Sequence, residues 1–116
     1  LTGRYDIEEA LKRLHAFHAA GADCLYAPMP PKPADLARIC SEIPAPINAL
    51  AAGPVFANIT RAEYAKMGVA RISIGGALAR VTQQAILDAA TPLLQNGDFT
   101  PLLGAVNAAK MDEILS

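Results

Sequence analysis

The chain has 116 residues, of which 53% are hydrophobic and 18% are charged, and its net charge is -1. This balance excludes an intrinsically disordered chain, and it lacks the basic excess that is typical of nucleic-acid-binding proteins. The apolar stretches are interrupted by proline, glycine or charge before they are long enough to cross a membrane. We therefore expect a soluble, cytoplasmic protein, with Cys24 and Cys40 as buried, reduced thiols because neither has CxxC spacing or a nearby histidine.

The first part of the chain predicts a helix followed by a short strand. Asp6 is suited to cap the helix, and Gly21 is suited to the left-handed residue that ends it. Residues 22–27 then form an apolar run of strand length, which Pro28 ends. These signals indicate one helix and one buried strand.

The same alternation of helix and strand continues to the end of the chain. Thr60 and Glu63 form the capping-box pattern that starts a helix. The strands are apolar nearly throughout, as expected for a parallel sheet that is covered on both faces. The further predicted elements are a helix over 33–41, a strand over 47–51, a turn at 53–54, a helix over 60–67, a strand over 69–74, a helix over 77–94 and a terminal helix over 101–115.

Three parallel strands are too few to close a barrel, which needs about eight. The chain also begins at Leu1 and has roughly half the length of a typical barrel domain. We therefore expect a segment of a larger barrel, with exposed sheet edges that make it marginally stable or prone to association when alone.

Three segments of the sequence, in this order and spacing, resemble the sixth, seventh and eighth strand regions of the phosphoenolpyruvate mutase/isocitrate lyase superfamily. They are Ala19–Pro28, Pro46–Leu50 and Met67–Arg80. The resemblance is strongest to the carboxyphosphonoenolpyruvate phosphonomutase-like and 2-methylisocitrate lyase-like members. It implies an α/β fold that is the C-terminal portion of a (β/α)₈ TIM barrel, with about three βα units over residues 1–96 and a C-terminal helix over residues 97–116.

The resemblance implies a Mg²⁺-dependent lyase or phosphonomutase-type parent enzyme, which acts on small 2-oxo or 2-hydroxy carboxylic acids through an enolate-like intermediate. In that family the metal ligands and catalytic residues lie on strands one to five, which would precede Arg4–Asp6. No catalytic residue or metal ligand is therefore assigned here, and the chain alone is expected to be inactive. Pro28 also stands where the family often has a histidine or glutamate, which predicts a less polar pocket.

Substrates of TIM barrels bind at the carboxyl ends of the strands, where five residues are predicted to contact the substrate. Backbone N–H groups at Gly76 could hold an anion at a helix N-terminus, although the glycines could instead only permit a tight turn. Asn48 and Ser73 could bind a substrate carboxylate or form structural bonds between strands, and Ser73 has no nearby base that would make it a nucleophile. The five predicted substrate-binding residues are Tyr26, Asn48, Ser73, Gly75 and Gly76.

Other polar side chains favour structural roles. Tyr26 favours packing over lining the pocket, and Arg71 and Arg80 favour structural ion pairs with acids elsewhere in a full barrel over substrate contact. His15 and His18 lie three residues apart on one helix, but no third ligand follows at helical spacing, so surface roles are favoured over metal binding.

The resemblance also implies that the C-terminal helix is exchanged with a neighbouring subunit, giving a homo-oligomer, and an intramolecular lid is the alternative. Its apolar face would comprise Leu103, Val106, Met111, Ile114 and Leu115. Two other functions remain open: a phosphate-binding barrel of the aldolase or phosphosugar type, with Gly75 and Gly76 as the phosphate cup, and a non-catalytic half-barrel oligomerisation module.

Overall fold

The structure, a computed structural model, describes residues 5–116, and it forms two compact units, one ending at Gly75 and one over Gly76–Ser116. The first unit alternates helices and strands. Its elements are α1 (Ile7–Ala19), β1 (Leu25–Tyr26), α2 (Pro33–Glu42), β2 (Ile47–Leu50), α3 (Gly53–Phe56), α4 (Arg61–Lys66) and β3 (Arg71–Ser73).

Two helices of this unit, α1 and α4, begin where the sequence supplies capping groups. The Asp6 carboxylate accepts hydrogen bonds from the backbone N–H groups of Glu8 and Glu9, at 2.9 and 3.4 Å. At the start of α4, the hydroxyl of Thr60 accepts from the N–H of Glu63 at 3.3 Å, and the Glu63 carboxylate accepts from the Thr60 N–H at 2.7 Å. Both caps satisfy backbone donors that have no partner within the helix.

The strands form one parallel sheet in the order β1-β2-β3. In its register, Tyr26 lies beside Asn48, Asn48 lies beside Arg71, and Leu50 lies beside Ser73. Each connection between strands contains at least one helix, as parallel pairing requires. The predicted parallel α/β architecture is confirmed.

The core lies between one face of the sheet and the helices of the first unit. Leu25, Ile47 and Ala49 supply its strand side. The hydroxyl of the buried Tyr64 donates to the backbone carbonyl of Phe56 at 2.7 Å, so its one polar atom is satisfied. The helical residues buried in the same cluster are Leu11, Leu14, Leu36, Ile39, Phe56 and Tyr64.

The second unit is helical. It contains α5 (Ala77–Asn96), a 3₁₀ helix (Thr100–Gly104) and α6 (Ala108–Leu115). Gly97, with a φ of 65°, ends α5 in the left-handed conformation. Neither α5 nor α6 contains a buried residue, and large apolar side chains along all three elements are exposed.

Two local predictions were wrong. Residues 53–54 do not form a simple turn, because Pro54 lies in the first turn of a short helix, where its missing N–H costs nothing. The single terminal helix over 101–115 is instead divided into the 3₁₀ helix and α6. The Asn107 side chain accepts from the Lys110 N–H at 2.9 Å and so starts a new helix, after an extended residue at Ala105.

The other predicted elements are present with shifted ends. The strands are shorter than predicted, because only the residues that pair in the sheet count as strand. The division into a barrel part over 1–96 and a helix over 97–116 stays a prediction. The expectation that Arg4–Asp6 follow a fifth strand falls partly outside the described residues.

Candidate functional site

The polar side chains predicted on the strands share one face of the sheet. Side chains alternate between the two faces of a strand, and neighbouring residues of adjacent strands share a face. Because Ile47 and Ala49 face the helices, Asn48 points to the opposite side, together with its neighbours in the sheet. We call this surface the Asn48 face; it carries Tyr26, Asn48, Leu50, Arg71 and Ser73.

Three of these residues form a directed chain of hydrogen bonds between β3 and β2. The Arg71 guanidinium donates from Nη1 to Asn48 Oδ1 at 2.8 Å. Asn48 Nδ2 donates to Ser73 Oγ at 3.0 Å, and Ser73 Oγ donates to the backbone carbonyl of Ala49 at 3.2 Å. Asn48 is only 5% exposed, so these bonds offset the cost of burying an amide in an apolar strand.

The arrangement leaves a positive charge available on the Asn48 face. Arg71 is exposed, and in the part of the chain that the structure describes its guanidinium has no carboxylate within ion-pair distance. The ion pair that the sequence favoured for Arg71, with an acid elsewhere in a full barrel, stays a prediction. A guanidinium has five N–H donors in a planar fork, and one of them is directed to Asn48, so others can hold a carboxylate.

The Ser73 hydroxyl is a hydrogen-bonding group and not an activated nucleophile. Its proton points to a backbone carbonyl, which is not a general base, and its oxygen accepts from Asn48. Asn48 and Ser73 thus make the bonds between strands that the sequence allowed as one alternative. Their contact with a substrate stays a prediction.

Tyr26 lies beside Asn48 in the register and is 42% exposed. It is therefore not packed in the core, contrary to the role that the sequence favoured. Beyond it the loop carries Pro28 and Met29, both exposed, and Met29 has a φ of 53°. Such a backbone conformation is strained for a residue other than glycine, asparagine or aspartate, and strain of this kind concentrates near functional sites.

The two glycines after β3 have different conformations. Gly75 has a φ of 53°, which a residue with a side chain would adopt only with strain. Gly76 is the N-cap residue of α5, with a φ of -85°, and a Cβ there would lie 4.0 Å from Arg80 Nη1. The turn that was the alternative to an anion site is therefore present, and the anion role of Gly76 stays a prediction.

The Mg²⁺ that the resemblance implies does not fit the Asn48 face. Within residues 5–116, His, Cys, Asp and Glu side chains do not converge in groups of three or more. The Asn48 face presents a guanidinium, an amide and a hydroxyl, whereas Mg²⁺ prefers carboxylates and water, and the guanidinium would repel it. His15 and His18 likewise belong to no such group.

A cleft of about 310 Å³ lies elsewhere in the first unit. Of its two charged residues, Glu63 is engaged in the cap of α4 and only Lys66 remains, so polar groups do not converge there as they do on the Asn48 face. The cleft is lined by Pro33, Ile59, Glu63, Lys66 and Met67.

Arg71 is the functional candidate that the sequence reasoning did not include among the substrate-binding residues. A signal for it was present, because Arg71 and Ser73 are two apart on a strand and must therefore share a face. What the sequence lacked was the register, which places Asn48 directly beside Arg71.

Comparisons with known proteins agree with this architecture. The chain has a TM-score of 0.87 and 35% identity to a candidate lyase/mutase from Burkholderia cenocepacia, over 98% of this chain and 41% of that one. A phosphoenolpyruvate phosphomutase from Streptomyces platensis subsp. rosaceus matches with a TM-score of 0.72 and 23% identity, over 96% of this chain and 42% of that one, which shows the fold alone. An uncharacterised protein of Mycobacterium tuberculosis is 36% identical over 70 residues, 60% of this chain and 26% of its own length.

The chain thus spans less than half the length of the solved structures that it matches and about a quarter of the curated relative. Its three parallel strands are a part of the TIM-barrel-type fold of these lyase and mutase structures. No helix within the described residues is long and apolar enough to span a bilayer. The family model for phosphoenolpyruvate phosphomutase matches residues 1–94, and the chain therefore belongs to the phosphoenolpyruvate phosphomutase family.

Proposed function

We propose that the chain supplies the carboxylate-binding wall of a phosphonomutase-type or lyase-type enzyme that acts on 2-oxo or 2-hydroxy carboxylic acids through an enolate-like intermediate. The observation that carries this proposal is the Arg71-Asn48-Ser73 chain of hydrogen bonds on a face of a parallel sheet. Family membership favours this activity over that of a phosphate-binding barrel of the aldolase type.

In this proposal the residues of the chain bind and orient the substrate. Arg71 binds the carboxylate, and the Asn48 amide oxygen holds the guanidinium in place by accepting a hydrogen bond from one of its N–H groups. Charge-assisted hydrogen bonds of this kind are about twice as strong as neutral ones, and fixed donors add orientation to affinity. The Mg²⁺ of the parent enzyme is proposed to be held by residues outside this chain, and the 116 residues alone are proposed to be inactive.

The test is an NMR titration of the isotope-labelled chain with pyruvate. We expect chemical-shift changes concentrated at the backbone amides of β2 and β3, weakened by salt because the contact is ionic. Arg71→Met should abolish these changes. Arg61→Met, which removes an exposed arginine from α4, is the matched control and should leave them intact. Shifts that persist in Arg71→Met, or that are lost equally in both variants, would contradict the proposal.

We also propose that the chain self-associates through the second unit. In the residues Gly76–Ser116, α5 and α6 bury no side chain, and large apolar side chains remain exposed along both helices and the 3₁₀ helix. An exposed apolar surface of this extent is typical of protein interfaces. A cytoplasmic location is part of the same proposal. Both cysteines are free thiols, but Cys24 is exposed and Cys40 is only partly buried, so the expected burial of both was wrong.

Multi-angle light scattering tests the self-association. The native chain should elute with a mass above that of a monomer. Leu103→Lys and Leu115→Lys, which place a charge at residues that are 87% and 77% exposed, should reduce this mass. A strictly monomeric native chain at high concentration would contradict the proposal.

A further inference from the structure

Ser73 connects the Arg71-Asn48 pair to the backbone of β2. Its hydroxyl donates to the Ala49 carbonyl at 3.2 Å, and its oxygen accepts from Asn48 Nδ2 at 3.0 Å. Arg71 donates to the other end of the same amide, at 2.8 Å. The position of the guanidinium is therefore linked to a backbone atom through two side chains.

The donors and acceptors of these bonds fix the orientation of the Asn48 amide. A backbone carbonyl only accepts, so the single proton of Ser73 is used at Ala49, and Ser73 offers only lone pairs to Asn48. The NH₂ end of the amide must then face Ser73, and Oδ1 must face Arg71, whose guanidinium only donates. A reversed amide would lose its bond to Arg71 and could bond Ser73 only by withdrawing the hydroxyl proton from Ala49.

One partner alone would leave the Asn48 side chain free to turn. The terminal torsion of an asparagine has a broad range of allowed angles. β3 supplies a partner at each end of the amide, because Arg71 and Ser73 lie two residues apart on one face of the sheet. Asn48 is also buried, so water competes little for either bond.

We infer that Ser73 is a positioning residue, which acts on the substrate carboxylate only through Asn48 and Arg71. This inference rests on the proposed function, and it is the alternative to the direct substrate contact that the sequence predicts for Ser73. Ser73→Ala leaves the Asn48 amide with one partner, so Arg71 keeps its charge and loses its fixed direction.

The first test follows the Arg71 guanidinium without a ligand, by NMR spectra detected on its Cζ carbon. A held guanidinium rotates slowly about its Nε–Cζ bond, so the native chain should give two separate Nη signals, and Ser73→Ala should merge them. Ser41→Ala is the matched control, because the Ser41 hydroxyl also donates to a backbone carbonyl, that of Arg38, at 2.9 Å. Merged signals in the native chain, or separate signals in Ser73→Ala, would overturn the inference.

The second test uses a double-mutant cycle with pyruvate to distinguish positioning from direct contact. Ser73→Ala should weaken pyruvate binding about three- to tenfold, the factor that corresponds to the net contribution of one hydrogen bond. In the Asn48→Ala background the same substitution should change the affinity by less than about twofold, because its effect passes through the amide. A loss that persists undiminished in that background would show that Ser73 contacts the substrate directly, and the inference would be wrong.

The outcomes separate this inference from the proposed function. If Arg71→Met abolishes pyruvate binding and Ser73→Ala leaves it unchanged, the carboxylate site stands and the positioning role is wrong. If pyruvate produces no shifts at β2 and β3, the proposed function fails and the inference fails with it. The amide spectrum of each variant reports whether it keeps the native fold, and the Nη signals of Ser73→Ala still decide the question if Asn48→Ala does not fold.

Discussion

Asn48 lies at the centre of the polar chain, with partners on both of its polar atoms. Its amide accepts from Arg71 and donates to Ser73, while its neighbours Ile47 and Ala49 face the core. A polar residue on an otherwise apolar strand is stable here because both bonds come from the adjacent strand. The same bonds determine where the Arg71 charge is held.

Replacing Asn48 by alanine should destabilise the chain by about 1–3 kcal/mol, because it leaves the partly buried Ser73 hydroxyl without its donor and opens a small cavity. Urea denaturation followed by circular dichroism measures this change. Asn58→Ala removes an exposed hydrogen bond to the Pro54 carbonyl and is the control. Equal losses of stability in the two variants would show that the buried Asn48 amide contributes no more to stability than the exposed Asn58 amide.

Tyr64→Phe should cost about 1 kcal/mol, because the variant keeps the buried ring and leaves the carbonyl of Phe56 with only the longer bond from the Ile59 N–H, at 3.3 Å. Tyr26→Phe is the matched control and should change stability much less, since Tyr26 is exposed. The free energies of unfolding in urea give both numbers. A Tyr64→Phe variant as stable as the native chain would mean that the bond contributes nothing.

At the scale of the elements, the capping box at the start of α4 should make a measurable contribution to the stability of the chain. Thr60→Ala removes the hydroxyl that caps the Glu63 N–H, and we expect a loss of about 1 kcal/mol. Thr60→Ser keeps the hydroxyl and should retain most of the native stability. Similar losses in both variants would point to the methyl group of Thr60 instead of its cap.

Glu63 should make the stability of the chain depend on pH. Hydrogen bonds from the Thr60 hydroxyl and backbone N–H lower the pKa of this carboxyl below its ordinary 4.5. A lowered pKa in the folded state gives stability that is fully present above the unfolded value and is lost as the pH falls through the folded one. The native chain should therefore exceed Glu63→Gln in stability at pH 7, and the difference should shrink toward pH 3 in urea titrations. A difference that is constant with pH would contradict this.

The starts and ends of several helices were predictable because they depend on residues close together in the sequence. Asp6, Thr60 and Gly21 have the predicted roles, since capping and left-handed conformations are local properties. The split of the terminal helix at Asn107 was missed, because Asn107 can cap a helix or continue a turn, and the apolar pattern of 101–115 did not distinguish the two.

At the scale of the whole molecule, the sheet has three strands where a closed barrel needs about eight. The described residues also lack a cluster of metal-binding side chains, and the Asn48 face offers binding groups without an activated base. Since the Mg²⁺ ligands are proposed to lie outside this chain, we expect no turnover in a Mg²⁺-dependent lyase assay of the purified 116-residue chain with 2-hydroxy acids. Robust turnover that a chelator removes would refute this expectation.

The amino-acid sequence by itself determined the parallel α/β class, because apolar strands alternating with capped helices leave few other arrangements. It also placed Asn48 and Ser73 among the candidates, since a polar residue in a buried strand needs a partner. Only the tertiary structure decided which partners they have. The register of β2 against β3 depends on packing between residues more than twenty positions apart, and this register joined Arg71 to Asn48 in the proposed carboxylate site.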